Sequence, residues 1–430
     1  MFERPSRRRF LELGAGVAAL GPLTACASTA REEETDEETV EQDELFGDLT
    51  DETDRYEPIS DEERAARRAR LGRILGAAGM DALVMEAGAT MSYLADVSWG
   101  HSERFFGLVV LADGSHFWIC PYFEAPRAQL RIENEPGGEI VPWHEHEYAW
   151  APLAAALSAR GVERVAVEPR TRLFIQEGLA DAYDAARVHS GRGIVRELRG
   201  QKDEHELALL RAANELTQQA IGAVAEHLEP GLTDRRLGAW IRRAQQRLGL
   251  SGVWVLPLVG ADAAYPHGSP SGRVMNAGDV ILVDTGGALH GYQSDITRTW
   301  VLGGKPSGEV AKVWNVVRDA QKRAYEALRP GPPCSSIDRA AREVIAAAGY
   351  GAGYETFAHR LGHGIGLEGH EEPYLDGGNQ LPLAPGMTFS DEPGIYIPGR
   401  LGVRLEDIVV VTDDGADHFG DWQASPASPA

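Results

Sequence analysis

Two stretches of this chain, one hundred residues apart, run alike, and that likeness constrains the fold more than any other feature. Pro230-Gly231 is followed by Thr233 and a helical pattern ending at Gly249. Pro330-Gly331 is followed by Ser335-Ser336 and a helical pattern ending at Gly349. A long helix precedes each Pro-Gly, and strand-like runs follow the second helix. A duplicated half-domain of helices and antiparallel strands is the simplest account. Each half also carries a pair of carboxylates. Asp284 and Asp295 are eleven apart and flank the Gly-rich stretch Gly286 to Gly291; Glu392 and Glu406 are fourteen apart and flank Gly394 to Gly402. Each pair fits a strand pair that presents both side chains on one face. Two such halves, meeting, bring four carboxylates to a seam.

The contexts of these residues are specific. Asp284 ends the apolar run Val280-Ile281-Leu282-Val283, where an unpaired carboxylate is costly to bury and metal ligation compensates its charge. Asp295 opens Asp295-Ile296-Thr297-Arg298-Thr299. Glu392 lies in Asp391-Glu392-Pro393-Gly394 and Glu406 in Val403-Arg404-Leu405-Glu406-Asp407. A histidine, His363, sits in Gly362-His363-Gly364-Ile365-Gly366. Four carboxylates and one imidazole can hold two divalent ions that share a water and lower its pKa, which is hydrolase chemistry.

In order and spacing these pieces resemble the pita-bread metallopeptidases, which include aminopeptidase P, prolidase and methionine aminopeptidase. The resemblance spans roughly residues 65–412 and is strongest from 202 onward. It implies an α/β N-terminal domain of creatinase type over 61–195. It also implies an α+β pita-bread catalytic domain over 200–420, with duplicated ααββ half-domains around a curved antiparallel sheet. In that family pattern Asp295 and Glu406 bridge two ions, Asp284 binds one, and His363 and Glu392 bind the other. Mn²⁺ suits so oxygen-rich a set best, and Co²⁺, Fe²⁺ or Zn²⁺ also fit. Glu392 doubles as general base. His370 donates to the tetrahedral oxyanion, His267 contacts the scissile region or shuttles a proton, and His359 lines the substrate pocket. Arg404, two before Glu406, shares its strand face and orients a ligand carboxylate.

The expected activity is removal of the N-terminal residue from Xaa-Pro peptides by attack of a metal-bridging water or hydroxide. Prolidases carry an arginine in a His-Glu-x-Pro-Arg run to hold a dipeptide's terminal carboxylate; here the run is His370-Glu371-Glu372-Pro373-Tyr374. Tyr374 supplies no charge, which favours aminopeptidase P-like cleavage of longer peptides. The alternatives are a prolidase, or a metal-dependent hydrolase or lyase of this fold acting on a small non-peptide substrate.

Residues 1–30 read as a targeting segment. Ser6-Arg7-Arg8-Arg9-Phe10-Leu11 resembles a twin-arginine signal, and Leu23-Thr24-Ala25-Cys26 a lipoprotein-processing site with Cys26 as the lipidated residue. Cleavage at an ordinary Ala-x-Ala site, using Ala25 and Ala27, is the alternative. Either implies an exported protein, periplasmic or on the cell surface, with at most a lipid anchor in the membrane. The net charge is −23, made up of +2 in residues 1–30, −14 in 31–62 and −11 in 63–430. Residues 31–60 therefore read as a disordered acidic tether, and the folded part is only moderately acidic. That balance excludes nucleic acid as a partner; a peptide substrate and a homodimer are expected, with the 97–106 loop reaching a partner's active site. The spacing predicts a helix over 61–79, strands over 82–85, 107–112, 116–120 and 163–168, helices near 149–160 and 172–186, and a linker over 190–200. Cys120 and Cys334 fall in different domains and read as two separately buried thiols.

Overall fold

The computed structural model describes residues 44–132, 138–268 and 272–429, and Leu45–Ala430 forms one compact unit. The export signal and Cys26 lie outside the described residues. The N-terminal half is built on six strands: β1 (Ala82–Glu86), β2 (Gly107–Leu111), β3 (His116–Pro121), β4 (Glu139–Trp143), β5 (Val165–Val167) and β6 (Val188–Ser190). Their order is β4-β3-β2-β1-β5-β6, with β1 antiparallel to β2 and parallel to β5. Both faces are covered. Leu83 and Met85 join the core under the helix Asp61–Ala77, while Ala82 and Val84 join a second core with Leu153, Leu157 and Leu179 from helices Trp150–Ala159 and Leu173–Tyr183. Ser60 and Glu63 close a reciprocal capping box on the first of these helices.

Two expectations are corrected here. Residues 190–200 are not a linker: Arg192–Arg199 is a helix that buries Ile194, Val195 and Leu198 in the N-terminal core. Its glycines suggested a break, but the apolar residues recur at helical spacing and packing prevails. Nor is the acidic segment a tether along its whole length. Phe46 and Ile59 are buried in the catalytic core, with Leu45, Leu49 and Tyr56 packed against it. Arg247 donates to the carbonyls of Gly47 and Leu49, and Glu52 N donates to Leu248 O. Five apolar side chains anchor this stretch, and the high average charge conceals them. Cys120 and Cys334 are both buried free thiols, as expected.

The catalytic half holds strands β7 (Ser251–Val259), β8 (Val280–Leu289), β9 (Tyr292–Gln293) and β10 (Ile296–Val301) in its first repeat. The second holds β11 (Gly362–Gly364), β12 (Glu371–Leu375), β13 (Thr388–Asp391), β14 (Gly394–Ile397), β15 (Leu401–Arg404), β16 (Asp407–Val411) and β17 (Ala416–His418). One sheet runs β10-β8-β7 with β9 paired to β8, a second runs β12-β11-β13-β16-β17, and β14 and β15 form a separate hairpin; the first two meet at the seam. A single bridge between Thr297 and Glu406 joins these two, with Glu406 N donating to Thr297 O at 3.1 Å.

The repeat is visible in the backbone. Gly231 and Gly331 take φ of 105° and 106°, conformations that favour glycine, and each donates to the loop ahead of its half's central strands, at Met275 O and Leu383 O. Thr233 caps the helix Asp234–Arg247 by accepting from Arg236 N. In the second half the equivalent position is Pro333, ahead of Cys334–Ala347, and Ser335-Ser336 fall inside the helix.

The apolar run before Asp284 is continuous because β8 is buried on both faces. Ile281 and Val283 face the core of helices Glu204–Ala225 and Asp234–Arg247; Val280 and Leu282 face that of Gly308–Ala327 and Cys334–Ala347. On β16, Ile408 and Val410 face the first core, and Val409 and Val411 the second. The curved sheet is thus sandwiched between two helix layers, with the seam between its halves at Thr297 and Glu406.

Candidate metal centre

All five residues expected to hold metal meet at that seam. Ligand atoms of Asp284, Asp295 and Glu406 lie within 4.8 Å of one another, as do those of His363, Glu392 and Glu406, and those of Asp295, His363 and His370. Asp295, His363 and Glu406 each belong to two of these groups. His363 Nε2 stands 3.5 Å from both Asp295 Oδ2 and Glu392 Oε1.

Strand ends supply the positions. Asp284 is on β8, opposite Thr297 of β10. Asp295 immediately precedes β10, and its N–H donates to Asn214 Oδ1 at 3.1 Å, tying it to the helix Glu204–Ala225. Glu392 follows β13 and accepts from Ser390 Oγ at 3.1 Å. Glu406 sits between β15 and β16. Arg298 braces the seam from behind, donating to Glu406 O at 2.8 Å and Asp407 Oδ1 at 2.7 Å.

Arg404 lies where its strand alternation placed it. It is buried and donates to Asp284 Oδ2 at 2.5 Å, Thr297 Oγ1 at 2.9 Å, and Tyr396 OH and Pro266 O at 3.2 Å. Thr297 Oγ1 lies 2.6 Å from Glu406 Oε2 and 2.9 Å from Asp284 Oδ1.

Electrostatics make the donor set's purpose plain. Burial and then the neighbouring Asp284 and Glu392 push Asp295 well above the usual carboxylate range. Burial and then Asp295 do the same to Glu406. Burial, reinforced by Asp284, pushes Glu392 up to about 8. Among the described residues Arg404 is the one guanidinium hydrogen-bonded to these four carboxylate side chains, so the cluster is a favourable place for added positive charge. Burial lowers His363 to about 3, leaving the neutral imidazole that a metal requires. The residues fit a pair of divalent cations.

The remaining histidines divide. His370 stacks on His363 with ring centroids 3.8 Å apart, and burial, then Arg360, lowers its pKa. His267 is exposed, one residue after the Pro266 carbonyl that Arg404 holds. His359 has both ring nitrogens engaged: Nδ1 meets Arg360 O at 2.8 Å and Nε2 meets Tyr396 OH at 2.7 Å. A proton on Nδ1 makes Nε2 an acceptor, so Tyr396 donates to His359 while accepting from Arg404. His359 therefore backs Glu392, 3.8 Å from its Oε2. Tyr374 lies on β12 beneath Arg360, whose guanidinium carbon is 4.2 Å from the ring centroid. The apolar end of the 97–106 loop is folded inward, with Phe105 and Phe106 buried, and His101 Nε2 meets Ala87 O at 2.7 Å.

Thr297, Ser390 and Tyr396 escaped the sequence reading. Thr297 and Ser390 are each two residues from a ligand, on a strand or at its end, and alternation could have found them. Tyr396 had no such signal.

Comparison with known proteins decides the family. Residues 208–413 match the model of metallopeptidase family M24, and residues 67–201 match the creatinase/prolidase N-terminal domain. The probable dipeptidase PepE of Mycobacterium tuberculosis is 38% identical over 359 residues, covering 83% of this chain and 94% of that protein. The chain belongs to metallopeptidase family M24. It is a hydrolase acting on peptides, with an α/β N-terminal domain and a pita-bread catalytic domain. Among other relatives, the Xaa-Pro dipeptidase of Lactobacillus delbrueckii subsp. lactis is 34% identical over 348 residues, covering 79% of this chain and 93% of that one. The crystal structure of dipeptidase PepE from Mycobacterium ulcerans superposes with a TM-score of 0.79 at 35% identity, covering 86% of this chain and 98% of that chain.

Proposed function

We propose that this M24 metallopeptidase is an Xaa-Pro dipeptidase. The observation that carries the reading is Arg360. Among the described residues it has no carboxylate partner, it is exposed, and it lies over the Tyr374 ring, near enough to influence His363, His370 and Glu392 electrostatically. Tyr374 left the arginine position of the prolidase motif without charge. Arg360, approaching from another loop, supplies a guanidinium for a dipeptide's terminal carboxylate. The dipeptidase names of the relatives agree with this.

Two divalent ions held by Asp284, Asp295, His363, Glu392 and Glu406, with Mn²⁺ the best match, would supply a nucleophilic water at neutral pH and a Lewis-acid clamp. Glu392 accepts the proton released in the attack; Ser390 fixes one of its oxygens and His359 backs the other. His370, neutral beside His363, donates an N–H to the developing oxyanion. Arg404 and Thr297 hold Asp284 and Glu406 in place.

A second reading, cleavage of longer Xaa-Pro-Yaa peptides, is favoured by Tyr374, which stands uncharged where the prolidase motif carries its arginine. Ala-Pro and Ala-Pro-Gly, assayed with Mn²⁺, separate the two. The dipeptidase reading expects Ala-Pro to be preferred. It also expects Arg360→Ala to raise KM for Ala-Pro about thirtyfold, the worth of roughly 2 kcal/mol in a charge-assisted contact, with little effect on the tripeptide. A preference for Ala-Pro-Gly that Arg360→Ala leaves untouched would favour the aminopeptidase reading.

A further inference from the structure

The loop that carries His370 is held mostly from the other domain. Leu367 packs against both the N-terminal core and the catalytic core. Glu368 pairs with Arg170 at 2.6 Å and with Arg199 at 3.0 Å. Arg170 also donates from Nη2 to the His370 carbonyl at 2.7 Å. Glu371, buried, pairs with Arg199 and with Lys202 at 2.6 Å. Arg170 follows β5 and is itself anchored, since its N–H donates to Glu168 Oε2 at 2.7 Å. Glu168 in turn accepts from Thr90, whose hydroxyl accepts from Arg199, each at 3.1 Å. One guanidinium thus brackets Gly369, gripping the residue before it by side chain and the residue after it by main chain.

The His370 ring makes no hydrogen bond among the described residues; it only stacks on His363. Its direction is therefore set by its own backbone, which Arg170 grips at the His370 carbonyl while the His363 ring meets the Gly369 main chain.

We propose that Arg170 is a positioning residue for catalysis: by holding the Glu368–His370 turn from the N-terminal domain, it aims the His370 imidazole at the reacting carbonyl. This rests on the reading of His370 as oxyanion donor. A donor displaced by a fraction of an ångström loses transition-state contact while substrate binding, which uses Arg360 and the metal-side groups, is preserved. The effect belongs in kcat.

The test uses the Mn²⁺-loaded full enzyme and Ala-Pro. Arg170→Ala should lower kcat about tenfold with KM changed less than about threefold, and Arg170→Lys should fall between. Arg192→Ala is the control: it breaks the pair with Glu372 on the same seam but leaves the His370 carbonyl alone, and it should retain the wild-type kcat. Guanidinium at millimolar concentration can enter the seam cavity, which Arg170 and Glu368 line, and should restore part of the kcat of Arg170→Ala. In a double-mutant cycle, Arg170→Ala should cost nothing further in the His370→Ala background. Wild-type kcat in Arg170→Ala, an equal loss in Arg192→Ala, no guanidinium rescue, or full additivity with His370→Ala would each overturn the proposal. Unimpaired turnover by His370→Ala would instead sink the oxyanion role itself.

Discussion

Thr297→Val asks how far the scaffold, and not the ligands alone, sets metal affinity. Valine keeps the β-branched shape suited to strand β10 and deletes one hydroxyl. That hydroxyl carries a single proton, so it donates to one carboxylate at a time, and the 2.6 Å contact assigns it to Glu406 over the 2.9 Å contact to Asp284. It is the one hydrogen-bond donor to the Glu406 side chain among the described residues. Without it, Glu406 faces three other carboxylates unrestrained and swings to separate their charges. Metal binding must then order the side chain again, at about 1.5–2 kcal/mol for a glutamate. That is roughly a ten- to thirtyfold weaker dissociation constant, within the range for residues that orient ligands. Calorimetric titration of Mn²⁺ into metal-stripped enzyme at fixed pH measures it directly. At saturating metal, kcat should stay within about threefold of wild type, because no reacting group is removed. A change in Kd of less than about twofold would refute the argument that this hydroxyl holds Glu406. Tighter binding would mean that its main effect is to draw charge from the carboxylates.

The raised carboxylates also predict a pH dependence. Glu392 is held near 8, and Asp295 and Glu406 are raised too, so between about pH 7 and 8, where the buried histidines are neutral folded or unfolded, the folded metal-free protein keeps carboxylate protons that the unfolded chain has lost. Its stability should fall as pH rises through that window, and the gap in Tm between loaded and stripped enzyme should widen from about pH 7 to about pH 8 in scanning calorimetry; a constant gap would count against the like-charge cluster. Phe46 is buried and meets Trp240 edge to face, so Phe46→Ala should lower stability by about 3–5 kcal/mol. Asp48→Asn nearby should stay within about 0.5 kcal/mol in denaturant unfolding, and equal effects would restore the tether. For the proposed export route, Arg7→Lys with Arg8→Lys should retain the protein in the cytoplasm, and Cys26→Ala should free it from membranes on fractionation. Membrane retention of Cys26→Ala would reject the lipid anchor, and wild-type protein already free of membranes would leave the Ala-x-Ala cleavage alternative.

That the five candidate ligands would meet was legible because the sequence marks them locally. Asp284 interrupts a run whose other members are buried on alternate faces, Glu392 follows a strand end and is bordered by Pro393-Gly394, and Glu406 lies between two strands. The repeat then implies that the two pairs meet, since two copies of one unit have one natural way to share a sheet. Residues that serve the ligands were legible only where two-residue spacing links them to a ligand, as it links Arg404 to Glu406, although the carboxylate Arg404 holds is that of Asp284. Alternation reports which side chains share a face; it is silent on which distant element arrives opposite. Tyr396 reaches Arg404 across the hairpin of β14 and β15, and Arg360 reaches Tyr374 from a separate loop, so neither contact leaves a periodic trace. Averages fail for a related reason. The five apolar side chains between Leu45 and Ile59 are too sparse to offset the charge around them, yet each finds a place in or against a core built by residues some two hundred positions away. The clamp on the His370 turn is the extreme case. Arg170 and His370 are two hundred residues apart and in different domains, and nothing near either residue signals the other. Their contact exists because the helix Arg192–Arg199, read from sequence as a linker, packs into the N-terminal core while Arg199 pairs with Glu368 and Glu371 of the catalytic domain. The misreading of that helix and the invisibility of the clamp therefore have one cause: both depend on how the two domains dock, which local periodicity does not encode.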